Sequence, residues 1–238
     1  LSQFTLDVLQ AINDWQRGGD HKQKVRRGEK LKEASQNLDA KFRNCSRTCY
    51  RQEAHEKDRV WQLLADDALP ETIAAWTTDL ATAKSFKGGV PPVGLQGIVF
   101  KFNPPASKVV LNLEEVYKDP DFTQAVAELK ADIVAFGDGI GRYGDEQCEV
   151  VLEMGSLDQA HIYCYGGFAS GRPVLAQDYF GRVPTEDDLK EFDALCLKAG
   201  ISPVGDWWLT PEGTSNVISR IQPRLDQLRM IKAAQQTT

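Results

Sequence analysis

Cysteine is scarce in this chain, five residues in 238, odd in number and scattered. That excludes a disulfide framework and points to a reducing compartment, so the expected location is cytoplasmic. No stretch holds eighteen consecutive apolar residues, which excludes an ordinary membrane-spanning helix. The opening Leu1 to Trp15 carries Asp7 and Asp14 inside an amphipathic pattern, which a secretory signal does not. Histidine is rarer still, at three residues. No Ser-His-Asp or Cys-His arrangement can be assembled from so few. Cys45 and Cys49 with His55 lack zinc-knuckle spacing and no second Cys pair follows, so no metal is expected. Internal repeats and low-complexity tracts are absent as well.

What is present is an ordinary globular composition, 42% hydrophobic and 26% charged, long enough to bury a sizeable core. The net charge of −6 argues against wholesale coating of nucleic acid, but it is unevenly spread. Residues 1–60 hold 13 Lys and Arg against 9 Asp and Glu, about +4, and the remainder carries about −10. The basic run starts at His21-Lys22-Gln23-Lys24-Val25-Arg26-Arg27 and reads first as a solvated helix face.

Phe4, Val8, Ile12 and Trp15, then Leu31, Ala34, Leu38 and Phe42, recur at helical spacing. Residues 1–45 therefore read as a helical lobe of two helices split near Gly18-Gly19. Short strands are expected around Thr48 to Arg51, over Ile73 to Thr77, at 97–102, at 108–113, at 147–152 and at 161–165. Helices are expected from Val60 until Pro70, over 79–86, 122–130 and 185–197, and over 216–234 with a bend or break at Pro223. Gly88-Gly89 with Pro91-Pro92 marks a turn, and Gly166-Gly167 and Gly171 mark the exit from the last strand. Residues 136–145 contain four glycines and little apolar pattern, and read as a mobile loop. The domain layout expected is a lobe at 1–45, a core at 46–175 and a helical extension at 176–238.

Three short pieces stand out in order: Tyr50-Arg51; Trp76-Thr77-Thr78 followed by Ala83 and Phe86; and Gln147-Cys148-Glu149-Val150-Val151-Leu152. Together they resemble the three-part signature of the mono-ADP-ribosyltransferase superfamily of Arg-Ser/Thr-Glu type, over roughly residues 47–155. The resemblance implies an α+β fold, a split and mainly antiparallel β-sandwich with helical additions at both ends and a dinucleotide cleft between the sheets. It implies NAD as co-substrate and transfer of ADP-ribose to a macromolecular acceptor, protein ahead of RNA or DNA, with nicotinamide released. Such proteins are often toxins, effectors or phage proteins, and an inhibitor or antitoxin protein is a possible partner. A non-catalytic partner-binding module on a decayed transferase fold, or an NAD glycohydrolase, is the alternative.

The chemistry suits these residue types. Breaking the nicotinamide–ribose bond builds positive charge on the sugar, and a nearby carboxylate lowers that barrier. The resemblance gives this task to Glu149. On a strand running from residue 147, Gln147 and Glu149 share a face. Arg51, with Tyr50 before it, is the expected clamp on the NAD pyrophosphate, since a guanidinium makes forked contacts with phosphate. Arg47 is the fallback. Trp76, Thr77, Thr78 and Phe86 complete the expected cofactor-binding set, and Tyr143 is expected to face the acceptor. Plain alternatives stand beside these: an exposed strand carboxylate for Glu149, a helix cap for Thr78, a core aromatic for Phe86, a loop anchor for Tyr143. The first hydroxyl position of the Ser/Thr motif falls on Ala75, so the hydroxyl paired with the catalytic carboxylate comes from Thr77 or is missing.

Overall fold

The structure is a computed structural model that describes residues 2–56, 72–89, 95–157, 161–166, 172–199 and 208–236. The helix expected from Val60 to Pro70 lies outside the described residues, as do Pro91-Pro92, Gly167 and Gly171. The chain is α+β and divides into two compact units. The first comprises 1–50, 69–80 and 102–155, and the second 51–68, 81–101 and 156–238. Its six described strands are β1 (Cys49–Glu56), β2 (Ile73–Thr77), β3 (Leu95–Phe102), β4 (Val109–Asn112), β5 (Glu149–Glu153) and β6 (Ile162–Gly166). They belong to an antiparallel sheet, ordered β4-β5-β2-β1 in the first unit and β1-β3-β6 in the second.

In the first unit, helix α1 (Leu6–Gln16) starts where the Thr5 hydroxyl accepts from Val8 N. Helix α2 (His21–Ser35) starts with a reciprocal capping box between Asp20 and Gln23. Phe42 falls in a separate 3-10 turn, Ala40–Arg43, because the second helix stops at Ser35. Phe4, Leu9, Ile12, Leu31 and Phe42 are almost fully buried and pack with Ile73, Leu111 and Val151 of the strands. The Phe4 ring meets Phe42 and Phe122 edge-on, both at 5.3 Å. Helix α3 (Leu80–Ser85) follows β2, with residues 81–85 belonging to the second unit, and two helices of the first unit follow β4: α4 (Leu113–Lys118) and α5 (Pro120–Leu129). Asp119 caps α5 and Pro120 opens it, a position where proline loses no hydrogen bond.

Residues 136–145 differ from the loop expected of them. They form a 3-10 turn, Phe136–Asp138, and a short helix α6 (Ile140–Tyr143). The cause lies on α1: Asn13, 0% exposed, donates to Val134 O at 3.0 Å and Ala135 O at 3.3 Å and accepts from Ile140 N at 2.9 Å. Gly139 is required beside it, since a Cβ there would lie 2.3 Å from Asn13 O. Gly139 therefore serves close approach here.

In the second unit, β3 and β6 pair with Gly97 opposite Gly166. The Trp208 indole lies on this glycine pair, and a Cβ on Gly166 would come within 2.1 Å of it. Its Nε1 donates to Lys84 O at 3.1 Å. Helices α7 (Arg172–Phe180), α8 (Glu186–Lys198) and α9 (Pro211–Gln236) complete the unit. The α8 start is as expected, with Thr185 and Asp188 forming a capping box. Arg182 grips the same Asp188 through two contacts of 2.6 and 2.7 Å. Of the bend or break expected at Pro223, the break is absent, and α9 runs through it.

Candidate functional site

Strands β1, β2 and β5 are the three that carry the motif pieces, and they are neighbours in the sheet. Tyr50 of β1 opposes Thr77 of β2, and Thr77 opposes Glu149 of β5. Directly opposed residues project to the same face, so Tyr50, Thr77 and Glu149 form one row. The same face of β2 and β5 carries Ile73 and Val151, which pack in the core formed with α1 and α2. Glu149 lies at the end of this apolar row and is only 9% exposed. A strand carboxylate out in solvent is thereby excluded.

A buried carboxylate needs donors. Trp15, at the end of α1, supplies one: its indole Nε1 donates to Glu149 Oε1 at 2.6 Å. Tyr117 of α4 stands nearby. Its hydroxyl donates to Gln16 Oε1 at 2.7 Å, and Gln16 Nε2 donates on to Gly144 O at 3.2 Å. Burial first, and then the negative charges of Glu149 and Asp145, hold the Tyr117 hydroxyl well above the usual phenol range, although its bond to Gln16 opposes this.

Of the two motif positions, Thr77 is the one in register with the carboxylate. Ala75 stands opposite Val151, two positions away from the carboxylate, whereas Thr77 stands opposite Glu149 itself. The Thr77 hydroxyl donates to Gln147 O at 2.7 Å and accepts from Asp79 N at 3.1 Å, so it ties the end of β2 to the approach to β5. Thr78 has another task. It donates to Glu114 Oε2 at 3.0 Å, and Glu114 is also held by Arg47 and, at 2.8 Å, by Lys118. Arg47, the fallback phosphate clamp, is thus engaged in an ion pair within the first unit.

Two expectations are corrected by the backbone. β5 begins at Glu149 and not at Gln147, because Cys148 has φ 45°, outside the extended region. The alternation that would put Gln147 and Glu149 on one face therefore does not apply. Gln147 contributes a carbonyl to Thr77 instead. Trp76 opposes Val150 and so lies on the sheet face opposite to Glu149. It is 2% exposed, 6.5 Å from the Phe102 ring, and is a core residue, not part of the row formed by Tyr50, Thr77 and Glu149. Its indole N–H has no hydrogen-bond partner among the described residues.

Tyr143 ends α6 and is half-buried, with the Arg142 guanidinium 5.1 Å from its ring centre. Cys45 and Cys49 are free buried thiols with their sulfurs 3.7 Å apart. The Cys49 contact is the main pull on the Cys45 thiol, which titrates below the usual range.

In the second unit, Arg51, Glu53 and His55 form a row along β1. Arg51 Nε donates to Glu53 Oε1 at 2.6 Å, and His55 Nε2 lies 2.6 Å from Glu53 Oε2. Burial pushes the Glu53 carboxyl up, but the His55 and Arg51 contacts outweigh it and hold it at about 2. Phe86 opens a 3-10 turn, Phe86–Gly88, and is 47% exposed, so the core-aromatic alternative does not hold.

Sequence reasoning missed Trp15, Gln16, Asn13 and Tyr117. For Trp15 one signal existed: it is the last residue of an apolar helical stripe and the only member with a polar handle, which when buried seeks an acceptor. No protein-family model matches the chain, and neither the curated proteins nor the solved structures contain a match to it.

Proposed function

We infer that this protein is a mono-ADP-ribosyltransferase that cleaves NAD at the nicotinamide–ribose bond and passes ADP-ribose to a macromolecular acceptor. One observation carries the reading: Tyr50, Thr77 and Glu149, drawn from three separated motif pieces, stand in one row across three adjacent strands. A chance pattern in the sequence would have no reason to converge in this way. Glu149 is the catalytic carboxylate. Held in a poorly solvated place, its charge acts strongly on the cation that develops at the ribose as nicotinamide leaves. Thr77, opposite it, keeps the ends of β2 and β5 in register.

Arg51 is the proposed ligand of the NAD diphosphate, and its pairing with Glu53 orients the guanidinium while leaving competition between that carboxylate and an incoming phosphate. Phe86 and Tyr143 are proposed contacts for nicotinamide and acceptor. The finer fold, a split β-sandwich of the transferase type, belongs to this same reading, as does a protein acceptor ahead of a nucleic acid. The experiment is incubation with NAD labelled in the adenylate portion together with proteins or RNA as acceptors. Label on a macromolecule with stoichiometric nicotinamide supports transfer. Nicotinamide without label means that water is the acceptor, as in a glycohydrolase, and the absence of both label and nicotinamide would contradict the proposal.

A further inference from the structure

We propose that Trp15 is a positioning residue for the candidate catalytic carboxylate, so that helix α1 is a working part of the site and not an accessory lobe. The inference rests on the proposed ADP-ribosyl transfer reading. Its starting point is the 2.6 Å contact from Trp15 Nε1 to Glu149 Oε1, made between residues 134 positions apart.

The choice of donor carries the argument. A glutamate side chain has three rotatable bonds, and a cation-stabilising carboxylate must be held in one orientation before the sugar charge develops. A lysine or arginine would hold it, but would also cancel the negative charge that the transition state needs. An indole N–H is neutral and is a donor only. It fixes one carboxylate oxygen, leaves the net charge in place and offers no basic site to the proton.

The indole is itself held. Gly28 sits inside α2, where glycine costs about 1 kcal/mol relative to alanine. A Cβ at that position would lie 3.1 Å from Ile73 Cβ and 3.3 Å from Trp15 Cζ3. The glycine thus lets α2 close against β2 and against the Trp15 ring together. On the other side, Asn13 and Gln16 of α1 anchor residues 134–144, a segment that ends three positions before Gln147. One helix therefore sets both the carboxylate and the backbone that leads to it.

The test uses the full chain with Trp15 replaced by benzothienylalanine, in which sulfur takes the place of the N–H and the ring keeps its size, alongside Trp15→Phe. Nicotinamide release is measured over a range of NAD concentrations. The expected result is a fall in kcat of about tenfold or more for both variants, the effect of losing one charge-assisted bond. KM for NAD stays within about twofold. A second readout is the indole N–H resonance of Trp15, which moves in Glu149→Gln if the contact exists. If the wild type releases nicotinamide while the sulfur isostere matches its kcat, the positioning role is wrong and the transfer reading stands. Should the indole resonance ignore Glu149→Gln, the contact itself is refuted. If the wild type releases no nicotinamide with any acceptor, the transfer reading fails and this proposal falls with it.

Discussion

Replacing Asn13 with alanine should destabilise the first unit by about 1–3 kcal/mol, and the figure follows from counting what is left behind. Asn13 is fully buried and satisfies Val134 O, Ala135 O and Ile140 N. Val134 O also accepts from Gln10 Nε2 at 3.3 Å, so it keeps a partner in the variant. Ala135 O likewise keeps Asp138 N, at 3.0 Å. Ile140 N loses its partner, and an unpaired buried backbone group costs roughly 1–3 kcal/mol. Ala135 is moreover held at φ 57°, a left-handed conformation unfavourable for a residue with a Cβ, and one restraint on it disappears. The assay is urea unfolding with amide hydrogen exchange at Ile140. Exchange at that amide should accelerate at least as much as global stability falls. A variant within about 0.5 kcal/mol of wild type, the range of ordinary surface substitutions, with Ile140 equally protected, would refute the account of how residues 136–145 are held.

Further outcomes can be checked. Gly166→Ala places a Cβ 2.1 Å from the Trp208 ring, so it should cost about 1–3 kcal/mol by overpacking and alter the near-ultraviolet circular dichroism of that indole. Glu53 titrates at about 2 in the folded chain, below its ordinary value of 4.5. Its contribution is therefore complete above about pH 4.5 and lost as pH falls towards 2, on the order of 3 kcal/mol, and Glu53→Gln should flatten the acid limb of stability against pH in that window. Arg51→Ala should raise the KM for NAD by about tenfold or more, and Arg51→Lys should recover little of it, since an ammonium cannot make the forked contact. Unchanged KM in both would remove Arg51 from the phosphate-binding role.

Much of the fold was legible locally, because the information was local. β2 falls where the apolar β-branched and aromatic run put it, at Ile73–Thr77, and the α8 start is written in Thr185 and Asp188. What failed was decided at a distance. The glycine-rich residues 136–145 carry no helical pattern of their own, and the side chain that orders them is Asn13, more than 120 positions earlier. Cys148 gives no sign in the sequence of its positive φ, so the start of β5 and the fate of Gln147 could not be read. Pro223 signals a bend or a break, and of the two the break did not occur, since a helix can carry one proline. Trp76 is a different case. Strict alternation along β2 already separates it from Thr77, and the motif drew attention away from that rule. The candidate site was half legible: its strand residues came from the motifs, while Trp15 and Tyr117 came only from tertiary packing.

The most direct measurement is nicotinamide release from NAD by the wild-type chain and by Glu149→Gln, a substitution that keeps size and removes charge. The account predicts release by the wild type and a loss of about a hundredfold or more in kcat in the variant, the scale set by removing one electrostatic stabiliser of a developing charge. Release by the variant at the wild-type rate would contradict it.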